Sequence, residues 1–309
     1  MADGRPQGEV AAGALAGVRV LDMTRVLAGP FAAQILGDLG ADVIKVEHPA
    51  RGDDTRQWGP PFLDAADGGR VAAYYLAANR NKRAVAIDFA RPEGRALVLR
   101  LAERCDVLLE NYRVGTLARH GLGYDALAAR NPRLVMVSIT GFGQTGPWRE
   151  RPGYDFLIQA LSGLMSITGE PERPPMKVGV AIADLLTGLY AAIGTLAALA
   201  ERERSGRGQH LDLSLFEATV GTLANQAMNY LVTGPRPRHA GATRIPTSCP
   251  IRTFPPPTGG SSSASATTAS SPRCARCSGI PSGRPIRALP PIPNGWPIAK
   301  SSSGASARC

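Results

Sequence analysis

One carboxylate in this sequence lies inside an apolar run, and it is the first candidate for chemistry. Residues 178–187 read Val-Gly-Val-Ala-Ile-Ala-Asp-Leu-Leu-Thr, and Asp184 is their single charge. An apolar setting removes hydration from a carboxylate, which raises the energy of the anion and makes it a better nucleophile. Asp is also a favoured helix N-cap, and apolar residues at helical spacing follow Asp184. The residues alone therefore leave two roles open, a nucleophile or a helix cap.

Strands and helices alternate through the first 241 residues, and this order predicts an α/β fold with a parallel sheet. The opening is a βαβ unit, with strands at 17–22 and 42–47 and a helix at 30–39. The pattern continues with strands at 83–89, 106–110 and 134–139 and helices at 92–104, 124–130, 154–163, 185–204 and 213–232. We expect a doubly wound, Rossmann-like large domain at 17–241, preceded by an N-terminal tail at 1–16.

Residues 242–309 differ in composition from the rest of the chain. They contain eight Lys and Arg residues, no Asp or Glu, 12 of the 26 prolines and four of the five cysteines. They have no apolar period of 2 or 3.6, so no packed element is predicted there. GC-rich coding DNA that is read out of frame gives this amino-acid composition. Codons permitted for residues 242–251 also encode Asn-Ala-His-Pro-Asn-Ile-Val-Pro-Tyr in another frame. We expect a frameshifted tail, with a natural disordered tail as the alternative.

The formal charge of +10 would suggest a nucleic-acid or membrane partner, but its distribution argues against both. Residues 242–309 supply +8 of that charge, and the first 241 residues carry only +2. We recognise no secretory signal before the first strand and no uninterrupted apolar run of spanning length. We therefore expect a cytoplasmic protein that binds neither nucleic acid nor a membrane.

A nicotinamide or flavin enzyme is a rival interpretation of the βαβ opening, because Glu47 ends the second strand as the ribose-binding acid would. The turn Thr24 to Pro30 has one glycine, however, where the pyrophosphate fingerprint needs three. The four histidines have no metal-ligand spacing, and the pair Cys274 and Cys277 lacks a second pair. We expect no tightly bound nicotinamide, flavin or metal.

Seven short motifs follow one another along residues 21–209. They are Leu-Asp-Met-Thr-Arg-Val-Leu-Ala-Gly-Pro (21–30), Gly-Ala-Asp-Val-Ile-Lys-Val-Glu (40–47), Asn-Arg-Asn-Lys-Arg (79–83), Glu-Asn-Tyr (110–112), Gly-Phe-Gly-Gln-Thr-Gly-Pro (141–147), Ala-Asp (183–184) and Gly-Arg-Gly-Gln (206–209). Together they resemble the class III CoA-transferases, the CaiB/BaiF family that includes formyl-CoA and carnitine CoA-transferases. Residues 52–56 and 58–62 are most similar to the dicarboxylate branch, which moves CoA between succinate and a related diacid.

The resemblance also implies what lies beyond residue 241. Relatives continue into a smaller domain and then return to complete the large domain, and the peptide encoded in the other frame resembles the start of that section. The implied architecture of this chain is therefore a truncated large domain that lacks the small domain and the C-terminal return. Intact relatives imply a homodimer.

The resemblance assigns Asp184 as the nucleophile, in place of the helix cap. In the implied mechanism its carboxylate attacks an acyl-CoA thioester, with succinyl-CoA as the expected donor, to give a mixed anhydride. The released CoA thiolate converts the anhydride to an aspartyl-CoA thioester, and a dicarboxylic acid then accepts CoA by the reverse steps. Backbone N–H groups at the start of the helix behind Asp184 are expected to stabilise the oxyanions. Coenzyme A thioesters are then substrates, and no tightly bound cofactor is required.

A binding surface for CoA follows from the same resemblance. It places Val26, Leu27 and Ala28 along the pantetheine, and His48 where relatives have an arginine for the nucleotide phosphates. The other implied positions are Asn79, Lys82, Asn111, Tyr112, Arg119, Thr140, Gly141, Phe142 and Gly143. Lys82 and Arg119 suit phosphate pairing chemically.

Two alternatives to a CoA-transferase stay open. Acyl-CoA racemases of the same superfamily have a Gly-His-Asp motif, which reads Gly153-Tyr154-Asp155 here, so the proton-abstracting histidine is missing. The second alternative is an inactive fragment that binds CoA, or pairs with a partner, without turnover.

Overall fold

The computed structural model describes residues 13–64, 68–170 and 173–233. In chain order its elements are β1 (Arg19–Asp22), α1 (Ala28–Asp38), β2 (Asp42–Glu47), β3 (Phe62–Asp64), β4 (Arg70–Ala72), α2 (Ala73–Ala77), β5 (Lys82–Ala86), α3 (Pro92–Ala102), β6 (Val107–Glu110), α4 (Thr116–Arg119), α5 (Tyr124–Ala128), β7 (Val135–Thr140), α6 (Asp155–Leu161), α7 (Ile182–Ser205), β8 (His210–Ser214), α8 (Leu215–Thr222) and α9 (Ala224–Thr233). Short 3₁₀ helices lie at Asp54–Gln57 and Leu164–Ile167.

A six-stranded parallel sheet with the order β5-β2-β1-β6-β7-β8 forms the centre of the described fold. Counted in chain order within this sheet, the strands run 3-2-1-4-5-6, which is the doubly wound order. The order reverses between β1 and β6, where Val20 lies opposite Val107. Ligands of such sheets bind at the carboxyl ends of the strands at this reversal. The predicted doubly wound α/β fold is confirmed.

Apolar side chains from both faces of the sheet form two cores. Successive residues of a strand point to opposite faces, so Val20 belongs to one core and Leu21 to the other. Helices α1, α6, α7 and α8 cover the first face, to which Leu36 contributes, and α3, α4 and α5 cover the second, to which Val98 contributes. Because the centre of β1 is buried on both faces, its two central residues, Val20 and Leu21, are both apolar.

Helix α7 is the long helix that begins within the apolar run, at Ile182, and it packs on α1. At Gly188 an added Cβ would lie 2.7 Å from the carbonyl oxygen of Ala28, so the glycine permits this close approach. By length and composition alone α7 is also able to cross a membrane, with a mean hydropathy of 1.7 over its most apolar window. Its contacts with α1, β7 and β8 make it one layer of the sheet packing. The absence of a membrane partner stays a prediction.

One predicted helix is wrong in part. The stretch predicted as a helix at 213–232 begins with the end of β8 and then divides into α8 and α9, with Ala224 at a positive φ of 46°. The hairpin of β3 and β4 and the short α2 are additional elements that the sequence pattern did not predict. Residues 13–16, assigned to the N-terminal tail, form a turn in which Leu15 N–H donates to Leu39 O at 2.8 Å. The predicted boundary after residue 241 and the predicted frameshifted tail lie outside the described residues.

Candidate active site

The loops that leave β1 and β6 are joined directly at the sheet's reversal point. Arg25 N–H donates to Asn111 Oδ1 at 2.9 Å, and Asn111 Nδ2 donates to Arg25 O at 2.7 Å. The Arg25 guanidinium lies 5.5 Å from the centre of the Tyr112 ring and pairs with Asp54 at 2.9 Å. Paired hydrogen bonds of this kind satisfy both polar groups of each partner. At the position where this sheet type binds ligands, the two loops are therefore linked through Asn111.

Val26 is held in a backbone conformation that is rare for a β-branched residue. Its φ is 72°, in the left-handed region. Its N–H points toward Asp53 Oδ1 at 3.3 Å. Strain of this kind persists where the surrounding structure fixes it, and it concentrates at functional sites. Val26, predicted along the pantetheine, thus sits at a fixed and strained turn of the site.

A buried network of charges lies beneath this turn. Lys82 Nζ pairs with Asp22 at 2.9 Å and also donates to Pro30 O at 2.8 Å and to Asn79 Oδ1 at 2.9 Å. Lys45 Nζ pairs with Asp53 at 3.0 Å and donates to Thr24 O at 2.8 Å. Burial opposes ionisation of Asp22, but Lys82 and Lys45 outweigh it and lower its pKa to about 2. Both lysines therefore fix the β1–α1 turn.

This network bears on two of the predicted CoA residues. Lys82 has three donors, and Asp22, Pro30 and Asn79 accept all of them, while its side chain is 1% exposed. Asn79 gives its amide N–H to Tyr75 O at 2.9 Å. Neither side chain lines either of the two cavities described below. The geometry therefore argues against the phosphate contact predicted for Lys82.

Asp184 lies in the first turn of α7, and the cap interpretation of this residue is wrong. The N-cap of α7 is Ala181, which gives no side-chain cap, so Asp184 is the third residue inside the helix. The cap comes instead from α6. Asp155 Oδ1 accepts the Ala183 N–H at 2.8 Å and the Asp184 N–H at 3.4 Å. Such a cap satisfies donors that a helix start otherwise leaves unpaired.

The same cap changes the predicted oxyanion site. The Ala183 and Asp184 N–H groups go to Asp155, the Ile182 N–H donates to Val180 O at 2.9 Å, and the Leu185 N–H donates to Ala181 O at 3.1 Å. The backbone donors at the start of α7 are thus engaged within the protein. This leaves none of them open for the predicted stabilisation of an oxyanion.

The Asp184 carboxylate itself accepts no hydrogen bond from any described residue, and it lines a cavity. Burial, and secondarily the negative charge of Asp155, raise its pKa from 3.8 to about 7. A carboxylate that lacks hydrogen-bond donors is poorly stabilised as an anion. Its free oxygens and raised basicity suit a nucleophile.

Two neighbouring cavities share Arg25 and Tyr112 in their walls. The first, of about 230 Å³, holds Asp184 and is lined by seven of the predicted CoA residues: Val26, Leu27, Ala28, Asn111, Tyr112, Thr140 and Gly141. The second, of about 310 Å³, is lined by His48, Arg51 and the loop after β5. Most of the predicted CoA positions therefore line two cavities that share Arg25 and Tyr112, and Asp184 lies in the first of them.

His48 and Arg119 lie near the second cavity. The Ala50 N–H donates to His48 Nδ1 at 3.1 Å, so a neutral ring carries its proton on Nε2, where it can donate. Arg119 is exposed, and its Nη2 donates to Thr116 Oγ1 at 3.3 Å; Thr116 lines this cavity. Arg119 thus lies next to the cavity, outside its wall.

The remaining predicted positions, Phe142 and Gly143, lie behind the first cavity. The Phe142 ring packs edge-on against Trp148, with centroids 5.3 Å apart. Gly143 has a φ of 86° and donates its N–H to Thr140 Oγ1 at 2.9 Å. Both residues support the loop after β7 and do not line either cavity.

Glu47 has a role other than the ribose contact of a dinucleotide enzyme. Its carboxylate binds Arg56 through two bonds of 2.7 and 2.8 Å, and it also accepts from Tyr75 Oη at 2.9 Å and from the Asp53 N–H at 3.0 Å. These contacts lower its pKa although burial opposes the shift. Within the described ranges, no group of three His, Cys, Asp or Glu side chains is arranged to hold a metal ion.

Comparison with known proteins decides the family. The family model described as CoA-transferase family III matches residues 15–281. The chain belongs to CoA-transferase family III. It is 54% identical over 228 residues to a succinate–glutarate CoA-transferase of Agrobacterium fabrum, covering 74% of this chain and 57% of that protein. It is 48% identical over 230 residues to the human succinyl-CoA:glutarate CoA-transferase, covering 74% of this chain and 51% of the human protein.

A solved structure agrees with this family membership. The crystal structure of a CaiB/BaiF family protein from Brucella suis matches with a TM-score of 0.72 and 55% identity, covering 74% of this chain and 60% of that one. The chain thus spans between half and two thirds of the length of these relatives.

Sequence reasoning missed the residues that support the nucleophile. Asp155 was noted only as the last residue of a Gly-Tyr-Asp triplet, and its contact with α7 bridges 28 positions of sequence. Arg149 and Arg151 also line the first cavity and were not predicted. A charge cluster between 149 and 155, next to a predicted helix start, was the available signal.

Proposed function

We propose that this protein transfers CoA from an acyl-CoA donor, with succinyl-CoA as the expected donor, to a dicarboxylic acid, and that Asp184 carries the group as an aspartyl-CoA thioester. The observation that carries the proposal is the Asp184 carboxylate. It lines the first cavity, it has no hydrogen-bond donor among the described residues, and its pKa is raised to about 7. The names of the relatives support a dicarboxylic acceptor.

The proposed reaction needs four exchanges at acyl carbons. The Asp184 carboxylate attacks the thioester carbonyl, the C–S bond breaks, and a mixed anhydride and CoA thiolate result. The thiolate then attacks the Asp184 acyl carbon, the donor acid leaves as a carboxylate, and aspartyl-CoA remains. The acceptor carboxylate repeats these two steps in reverse and restores free Asp184. No proton or electron is gained or lost, so the chain's own carboxylate suffices.

The position of Asp184 supports this chemistry in two ways. The loops of Arg25 and Asn111 fix the wall along which the thioester would lie, which reduces the entropy lost on reaching the attacking geometry. The half-buried carboxylate also has little hydration to lose before it attacks.

The test is to incubate the full chain with succinyl-CoA and analyse intact peptides by mass spectrometry. We expect a CoA adduct on the peptide that contains Asp184, and glutaryl-CoA when glutarate is added. Asp184→Asn should give neither product, because an amide does not form the anhydride. Glu150→Gln, which removes an exposed carboxylate from the same cavity, is the matched control and should retain the adduct. CoA binding without any adduct would favour the inactive-fragment alternative and contradict the proposal.

A racemase makes a different prediction in the same assay. It would exchange the α-proton of a chiral acyl-CoA with solvent deuterium and leave no adduct on Asp184. Tyr154 lines the cavity where racemases have histidine, so we expect no such exchange.

A homodimer is part of the same proposal. Exposed apolar side chains on α6, α7 and α9 support it, among them Leu157, Ile193 and Leu231. Large apolar side chains that are exposed together are often part of an interaction site. Sedimentation of the full chain across a concentration series tests it, and a monomer at all concentrations would contradict it.

A further inference from the structure

Four arginines line the cavity that holds Asp184, and they differ in their partners. Arg25 pairs with Asp54 at 2.9 Å. The Arg149 guanidinium lies 3.6 Å from Glu150. Arg113 and Arg151 have no carboxylate within ion-pair distance among the described residues. A cavity with unpaired guanidinium groups beside a nucleophile is suited to a ligand that carries a second negative charge.

Arg113 and Arg151 come from different walls of this cavity. Arg113 directly follows Asn111 and Tyr112, on the loop after β6 that also lines the wall shared with the second cavity. Arg151 is on the loop that leads into α6, whose first residue caps the helix of Asp184. Arg151 is therefore an exposed, unpaired arginine four residues before the side chain that caps the nucleophile's helix.

The Arg151 guanidinium is held in place by an aromatic side chain. It lies 4.9 Å from the centre of the Trp148 ring, and the backbone N–H of Arg151 donates to the backbone carbonyl oxygen of Trp148 at 2.8 Å. Trp148 in turn packs on Phe142 and Phe216. A guanidinium on an aromatic face keeps its in-plane N–H donors free for a carboxylate.

Two glycines fix the loop that carries Arg151 against the end of β7. A Cβ at Gly153 would lie 2.4 Å from Gly141 Cα, and a Cβ at Gly141 would lie 2.6 Å from Gly153 Cα. The two backbones are thus in direct contact. Arg151 is therefore presented to the cavity by a backbone of defined position.

We propose that Arg151 binds the non-reacting carboxylate of the dicarboxylic acceptor while the other carboxylate faces Asp184. This inference rests on the proposed function and deepens it, because it names the residue that selects diacids over monoacids. A guanidinium binds a carboxylate through two parallel N–H···O bonds, which a monoacid leaves unmade when its single carboxylate faces Asp184. Arg149, two residues earlier, adds positive charge at the same wall.

The test compares glutarate with pentanoate, a monoacid of the same chain length, by ligand-observed NMR titration of the full chain at one pH. We expect glutarate to bind at least about tenfold more tightly than pentanoate, as one charge-assisted interaction implies. Arg151→Ala should abolish the preference, so that glutarate and pentanoate bind with equal affinity, and Arg151→Lys should restore part of the difference. Arg104→Ala removes an exposed arginine outside both cavities and should change neither affinity.

Three outcomes would overturn this inference. They are equal affinity for both acids in the unaltered chain, an unchanged glutarate preference in Arg151→Ala, and loss of the preference in Arg113→Ala instead. A further measurement is the affinity for CoA, because a phosphate of CoA also binds a guanidinium group. We expect CoA affinity to be unchanged in Arg151→Ala, and a tenfold loss would assign Arg151 to a phosphate. These readouts need no turnover, so absence of the aspartyl adduct would contradict the proposed function alone.

Discussion

The ionisation of Asp184 gives the most direct check on the site, and Asp155→Asn is the perturbation that isolates one of its causes. Burial is the larger cause of the rise in the Asp184 pKa from 3.8 to about 7, and the charge of Asp155 is the smaller. Less than half of that rise therefore comes from Asp155. Removal of this charge should lower the pKa of Asp184 by about one pH unit and leave it well above 3.8, because burial remains.

Asparagine is the appropriate replacement because it keeps the helix cap. Its side-chain oxygen still accepts the Ala183 N–H, as a good N-cap residue does. Its amide nitrogen replaces Oδ2 and cannot accept, so the variant loses the hydrogen bond that Gln159 Nε2 donates to Asp155 Oδ2 at 2.6 Å. Asp155→Ala would also remove the cap, at a cost of about 1 kcal/mol in the free energy of unfolding. Of the two variants, only Asp155→Asn therefore removes the negative charge and keeps the helix cap.

The assay is the pH profile of Asp184 labelling by a water-soluble carbodiimide, which adds to protonated carboxyl groups, read by mass spectrometry of the Asp184 peptide. The unaltered chain should show a midpoint near pH 7, and Asp155→Asn a midpoint near pH 6. Asp125→Asn, which removes a carboxylate from α5 on the opposite face of the sheet, is the control and should leave the midpoint in place. A midpoint near pH 4 in the unaltered chain, or no change in Asp155→Asn, would refute this account.

Three further outcomes follow from the described contacts. Asp184→Asn should raise the midpoint of thermal unfolding by about 5 °C at pH 8 and little at pH 4. The raised pKa of Asp184 means that its ionised form destabilises the folded state as pH rises from 3.8 through 7. Equal shifts at both pH values would contradict this. Lys82→Met should lower the free energy of unfolding in urea by about 3 kcal/mol, since it leaves Asp22 without its 2.9 Å partner, and a change under about 1 kcal/mol would show that the pair is not needed. Val26→Gly should leave that free energy within about 1 kcal/mol of the starting value, because release of the positive φ offsets the flexibility of glycine; a loss above about 2 kcal/mol would mean that Val26 is not strained.

The sequence predicts the central strands well because each is buried on both faces. The strand β2 has the predicted bounds, and β6 and β7 differ from prediction by one residue at one or both ends. The edge strand β8 was missed, although His210 to Ser214 alternate between polar and apolar residues as a half-buried strand does. The apolar residues that follow have a stronger helical pattern, so the predicted helix at 213–232 included the end of this strand.

A site residue was predictable from the sequence where its type and its immediate neighbours indicated a function. Asp184 stands out because an apolar run surrounds a carboxylate, and burial is what raises its pKa. The cap from Asp155 was not predictable in the same way. A capping carboxylate from another helix leaves no spacing pattern, since its contact depends on how α6 and α7 pack.

Lys82 shows why a cation at a strand end does not by itself predict a phosphate ligand. The residue type and its place at the start of β5 fit both a ligand contact and a buried ion pair. What separates the two is the number of acceptors already within hydrogen-bond distance of Nζ, and here Asp22, Pro30 and Asn79 occupy all three donors. Asp22 and Pro30 come from two other segments of the chain, 60 and 52 residues away, so their convergence on Lys82 depends on the fold. Arg151 is the opposite case, because its loop presents a guanidinium that no carboxylate among the described residues pairs with.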